Sequence, residues 1–79
     1  MNATNEAKAY VRGIRNGAKR TYAQSYLLWL CKEGRDFFTG EPCQAPVAPS
    51  GLSYTAAQAV RMNLRDLMPQ AVEIVDLQP

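Results

Sequence analysis

From Phe37 to Leu52 the chain is broken by Gly40, Pro42, Pro46, Pro49 and Gly51, and no regular element can run through it. Proline removes backbone donors and fixes φ, while glycine adds entropy to any ordered conformation. Helices or strands must therefore come from the residues before this stretch and after it. The segment reads as a connecting loop over residues 39–53, with Phe37 and Phe38 anchoring its start in the core. Loops of this length are uncommon in compact domains and are often functional or mobile.

Before the loop, the spacing predicts one long amphipathic helix over about residues 5–33. Lys8, Arg12, Arg15 and Lys19 are spaced by four, three and four. At about 100° per residue they share an arc roughly 60° wide. Val11, Ile14, Ala18, Tyr22, Ser25, Leu28 and Trp29 fall on the other side, between about 200° and 320° from Lys8. Thr4 is placed to cap the helix, and Glu6 puts an acid in its first turn. Lys32 favours the last turn, and Gly34 can take the left-handed conformation that ends a helix.

Other residues argue for an interruption. Gly13 and Gly17 each cost about 1 kcal/mol relative to alanine, Asn16-Gly17 is a turn dipeptide, and Thr21 to Gln24 reads as a capping box. A break near residue 17 is the alternative. Both stripes keep their phase through the glycines, so a continuous helix is expected. The Gly13–Gly17 pair is either a notch for another backbone or a flexible point.

After the loop, Thr55 and Gln58 suggest a capped helix over 55–68, closed by Pro69. Ala56, Val60, Leu64 and Leu67 form its apolar stripe, and Gln58, Arg61 and Arg65 its wet face. Residues Ala71 to Leu77 are rich in β-branched side chains and read as a short C-terminal strand or extended tail. A lone strand needs a partner, so the tail forms a minimal ribbon with Phe37 to Thr39, pairs across a dimer, or packs as a last short helix. The expected fold is a mainly α single domain over 1–79: two amphipathic helices packed antiparallel, joined by the Pro-rich loop. Its core is expected to hold Val11, Ile14, Leu28, Trp29, Phe37, Val60, Leu64 and Leu67.

Charge narrows the function. Residues 7–32 carry six basic residues and no acid, whereas the rest carries three basic residues against all seven acids, a net of −4. The chain is thus a dipole in sequence, able to steer an anionic partner if the fold keeps the two regions apart. A hydrophobic fraction of 47% excludes intrinsic disorder. At 79 residues only about 60 to 65% of the unfolded surface is buried, so a homodimer is one way to bury more.

Two cysteines, Cys31 and Cys43, cannot build a disulfide framework or a zinc site, and histidine is absent. There is no phosphate-cradling glycine loop, and the acids are scattered. Cys31, beside Trp29 and Leu30, reads as a structural thiol and not as a nucleophile. No enzyme, cofactor or metal is expected. The first residues lack the apolar stretch of a signal peptide and no run spans a bilayer, so the expected setting is the cytoplasm.

Binding remains. The partner-binding residues are expected to be Lys8, Arg12, Arg15 and Lys19, assisted by Arg20 and Tyr26, with Gln58, Arg61 and Arg65 as a second, weaker patch. The expected partner is a protein with an anionic surface, including a nucleic-acid-handling complex. Chains of this size and economy are often accessory inhibitors of phage or mobile elements, anti-CRISPR proteins among them. A basic surface excludes DNA mimicry. The alternative is a small nucleic-acid-binding protein whose stripe follows phosphates while Tyr26 stacks on bases. The long loop rules out a helix-turn-helix between the two helices, and membrane-surface binding ranks below both readings because the second helix can cover the apolar face.

Overall fold

The computed structural model describes residues 1–77, and these are mainly helical with no strand among them. Four helices follow in order: α1 Asn5–Arg12, α2 Gly17–Cys31, α3 Tyr54–Leu67 and α4 Pro69–Asp76. None is long and apolar enough to cross a membrane.

Thr4 caps α1 as its sequence suggests, its hydroxyl accepting from the Ala7 amide at 3.1 Å. The helix expected over 5–33 is nevertheless two helices. Asn16 stands in extended geometry and its side chain accepts from the Lys19 amide at 2.9 Å, opening α2. The local signals at Asn16-Gly17 thus prevail over the continuity of the stripes: the cap satisfies a helix-end donor, and the chain avoids carrying two glycines inside a helix. A β-carbon at Gly17 would meet nothing within 4 Å, and at Gly13 it would meet only the carbonyls of its own helix. The pair marks a corner, not a backbone notch.

The corner also rotates the buried face. Ala7 and Val11 bury the side expected for α1, centred at about 280° on the wheel that starts from Lys8. In α2 the buried residues are Tyr22, Ala23, Tyr26, Leu27 and Leu30, centred at about 30°. The shift of roughly 110° turns the side assigned to cations into the core side of α2. Accordingly Tyr26 is 1% exposed, while Leu28, expected in the core, is 56% exposed and Trp29 is half-buried.

At its far end α2 closes with a Schellman motif. The Glu33 amide donates to Leu30 O at 3.0 Å and the Gly34 amide to Trp29 O at 3.0 Å. Glu33 (φ 60°) takes the left-handed C′ place expected of Gly34, and Gly34 follows with φ 71°.

Two side-chain bonds fix the direction of α3. Arg61 reaches Tyr22 and Arg65 reaches Tyr26, so the pairing advances in step along both helices and α2 and α3 run parallel. Across α1 the order reverses: Asn63 meets Tyr10, and Leu67 meets Thr4. Met1 lies on Cys31 while Arg20 bonds Ile14, which makes α1 antiparallel to α2 as well. Antiparallel packing thus holds between α1 and α3 but not between α2 and α3. Parallel neighbours need a return path, and residues 32–53 provide it: α2 rises about 22 Å, which an extended chain of that length covers easily. Ala45, Ala48 and Leu52 pack this crossover against the core.

Ser53, not Thr55, caps α3, its hydroxyl accepting from the Ala56 amide at 3.1 Å. The tail expected as a strand or extended segment is α4. Pro69 at its first position presets helical φ, Ala71 is fully buried, and Val72 and Val75 pack on the core. With no described strand to pair with, burial of this face outweighs the β propensity of its valines. Val11, Ile14, Val60 and Leu64 belong to the core as expected, Leu67 is half-buried, and Phe37 is 74% exposed instead of anchoring the loop.

Candidate functional site

Reversal of the chain at Gly13–Asn16 bends the expected basic ridge into a corner. Arg12 ends α1, Arg15 lies in the link, and Lys19 and Arg20 stand in the first turn of α2. Arg12, Arg15 and Arg20 are exposed and Lys19 is half-exposed. Arg20 also braces the corner, donating from Nη1 to Ile14 O at 3.2 Å. Tyr10, Ile14, Arg15, Asn16 and Lys19 border a shallow depression there. Lys8 lies away from it, toward Cys31. Burial pushes the Cys31 thiol up, and the N-terminal amine and Lys8 pull it partly back. That raised pKa agrees with a structural thiol.

Among the described residues, the two ion pairs are the N-terminal amine with Glu33 and Arg65 with Asp76. Among the described residues the corner cations have no acidic partner. The reason lies in topology: the start of α1 and the ends of α2 and α3 gather at one end of the bundle, bringing Glu6, Glu33 and Asp66 together there. The other end holds the corner and the start of α3, where residues 12–20 and 53–59 contain four cations and no acid. The two ends lie about 20 Å apart along α2, roughly two screening lengths at physiological salt. Four of the six cations of residues 7–32 thus stand at the end without acids, while Lys8 and Lys32 stand toward the other.

The remaining site residues are placed otherwise. Tyr26, expected on the basic line, is in the core, where its hydroxyl accepts from Arg65 Nε at 2.9 Å. Arg61 donates to the Tyr22 hydroxyl at 2.9 Å, and this bond raises its already high pKa. Its guanidinium also lies 5.9 Å from the Tyr54 ring. Arg61 and Arg65 thus clamp α3 to α2, and of the expected second patch only Gln58 is fully exposed.

Sequence reasoning missed a second surface. Residues 34–43 form a tight hairpin-like turn, with Cys43 N bonded to Gly34 O at 2.8 Å, Asp36 N to Glu41 O at 2.7 Å and Arg35 Nη1 to Gly40 O at 2.8 Å. Asp36 Oδ1 accepts from the Phe38 amide at 2.8 Å and the Thr39 amide at 3.0 Å. Gly40 (φ 73°) takes the left-handed conformation that closes the turn. At the tip Phe37 and Phe38 are 74% and 90% exposed, packed edge to face at 5.3 Å. The signal for this was present: an aspartate able to bond the amides two and three residues on, followed by Thr-Gly, marks a turn and places the residues between in solvent.

The Thr39 and Phe38 amides hold the Asp36 carboxyl below the ordinary aspartate range. Because the folded value is the lower one, the carboxylate's support of the turn is complete above that range and is lost as pH falls through the lowered pKa. In an acid titration the Phe38 and Thr39 amide resonances are expected to move together, with a midpoint below that of an unstructured aspartate. A midpoint at the ordinary value would show that the turn does not form in solution.

No family model matches this chain, and neither a curated protein nor a solved structure matches it significantly.

Proposed function

We propose that the chain is a non-enzymatic binding protein of the cytoplasm, a small inhibitor or accessory protein that needs no cofactor. In this reading Arg12, Arg15, Lys19 and Arg20 dock on an anionic surface of a protein partner, such as the groove of a nucleic-acid-handling complex, and Lys8, which lies toward Cys31, stands outside the contact. The observation that carries it is the corner itself: four cations on one end of the bundle, none paired with a carboxylate among the described residues. Arginines so placed suit carboxylates and phosphates alike. A protein partner is favoured over nucleic acid because the ring needed for base stacking, Tyr26, is in the core, and Arg61 and Arg65 are held by tyrosines.

The test is a triple variant, Arg12→Glu, Arg15→Glu and Lys19→Glu, whose wild-type side chains make no described hydrogen bond or ion pair. Affinity capture should yield a protein held at about 50 mM salt, weakened by about 200 mM and lost with the variant, whose thermal stability is expected to match wild type. Capture that the variant leaves intact would overturn the corner as the site. Salt-dependent binding of labelled oligonucleotides, falling about tenfold or more between those salt concentrations and abolished in the variant, would assign the corner to nucleic acid instead.

A further inference from the structure

The Phe37–Phe38 turn lies outside the corner and is not explained by it. We propose that this turn, with the outer face of α2, is a self-association surface through which two copies pair about a two-fold axis. The turn uses its polar groups to hold two phenylalanines in water. Its backbone bonds preset the loop, so that docking need not order it. The phenylalanines are continuous with a groove walled by Leu28, Trp29 and Pro46, in which Leu28 is itself 56% exposed. An exposed aromatic side chain carries about 150–250 Å², so this face offers on the order of 400–500 Å² of apolar surface per copy. With the stems of Lys32 and Arg35 beside it, two copies reach the total of about 1,000 Å² expected of a specific interface.

Charge selects the occupant. Within residues 32–41, Lys32 and Arg35 stand among Glu33, Asp36 and Glu41. A two-fold contact requires a patch complementary to itself, and mixed signs around an apolar centre meet that requirement. Lys32 Nζ lies 5.3 Å over the Phe37 ring with no carboxylate paired to it, and Glu41 has no cationic partner among the described residues. The groove itself is lined by Lys32, Arg35 and Asp36, charges of both signs, and not by the single-sign cationic patch that suits an anionic membrane or nucleic acid. Since the turn follows the C-terminal end of α2, a dimer formed here leaves both basic corners free, and the pairing stands whether or not the corner binds as proposed.

Sedimentation equilibrium of the whole chain, with reductant present so that exposed Cys43 cannot cross-link, is the test. Across about 5–200 µM, a range that reads dissociation constants of micromolar order, the wild type should approach twice the 8.8 kDa mass of one chain. Phe37→Ser, Phe38→Ser and the double variant should shift the equilibrium toward monomer, the double variant by at least tenfold, with helical circular dichroism unchanged. Single-chain mass for the wild type throughout the range would overturn the proposal. So would a dimer that survives the double substitution, or a monomer that cosediments with phosphatidylcholine vesicles through the two phenylalanines.

Discussion

Leu64→Ala is expected to lower the stability of the protein by about 2–5 kcal/mol, the range for truncating a fully buried leucine into a site that relaxes only partly. Leu64 is completely inaccessible and belongs to the one core cluster to which buried residues of all four helices contribute, so the cavity opens inside that core. For a chain of 79 residues the whole stability is on the order of 4–12 kcal/mol. A loss of this size lowers the melting temperature by at least about 10 °C. Met62→Ala, on the same helix but 56% exposed, should stay within about 0.5 kcal/mol of wild type. Thermal melts followed by circular dichroism make the comparison. Equal melting temperatures for the two variants would show that α3 does not pack by this face.

That face of α3 was readable because nothing interrupts it. Val60 and Leu64 keep one phase from the Ser53 cap to Pro69, and periodicity over a single unbroken helix is the strongest local signal a sequence carries. The first half of the chain shows the opposite case. The signals for a corner at Asn16-Gly17 were present, but a wheel carried across it places every later residue about 110° from its true direction. For that one reason the periodicity alone points Leu28 and Trp29 inward and Tyr26 outward. The basic corner was legible as a charge run, since charge can be counted without knowing direction. Its bend depends on φ and ψ at a few link residues, and so does the parallel course of α2 and α3. The parallel course also needs the crossover over residues 32–53, whose path a pattern of prolines does not specify. The α4 helix was hidden by its valines, whose preference for strands has no outlet where the described residues offer no strand to pair with.

Tyr26 separates the two readings of α2 most sharply. Were it a stacking ring on a basic ridge, truncation would cost binding and leave stability nearly untouched. Its place in the core predicts the reverse. The ring is 1% exposed, lies between Tyr22 and Trp29 with centroids 6.2 and 5.5 Å away, and its hydroxyl accepts from Arg65 Nε at 2.9 Å. Tyr26→Ala should therefore cost about 3–5 kcal/mol, enough to leave a domain of this size close to unfolded. Tyr26→Phe keeps the ring and removes only the bond to Arg65. That guanidinium is partly open to water and also lies 3.8 Å from Asp76, so the loss should be smaller, about 1–2 kcal/mol. The graded order, wild type above Phe above Ala in urea midpoint, is what a buried ring with one polar tether requires. Midpoints that coincide for all three would return Tyr26 to the surface and, because Arg65 holds α3 through it, would also undo the parallel pairing of α2 and α3.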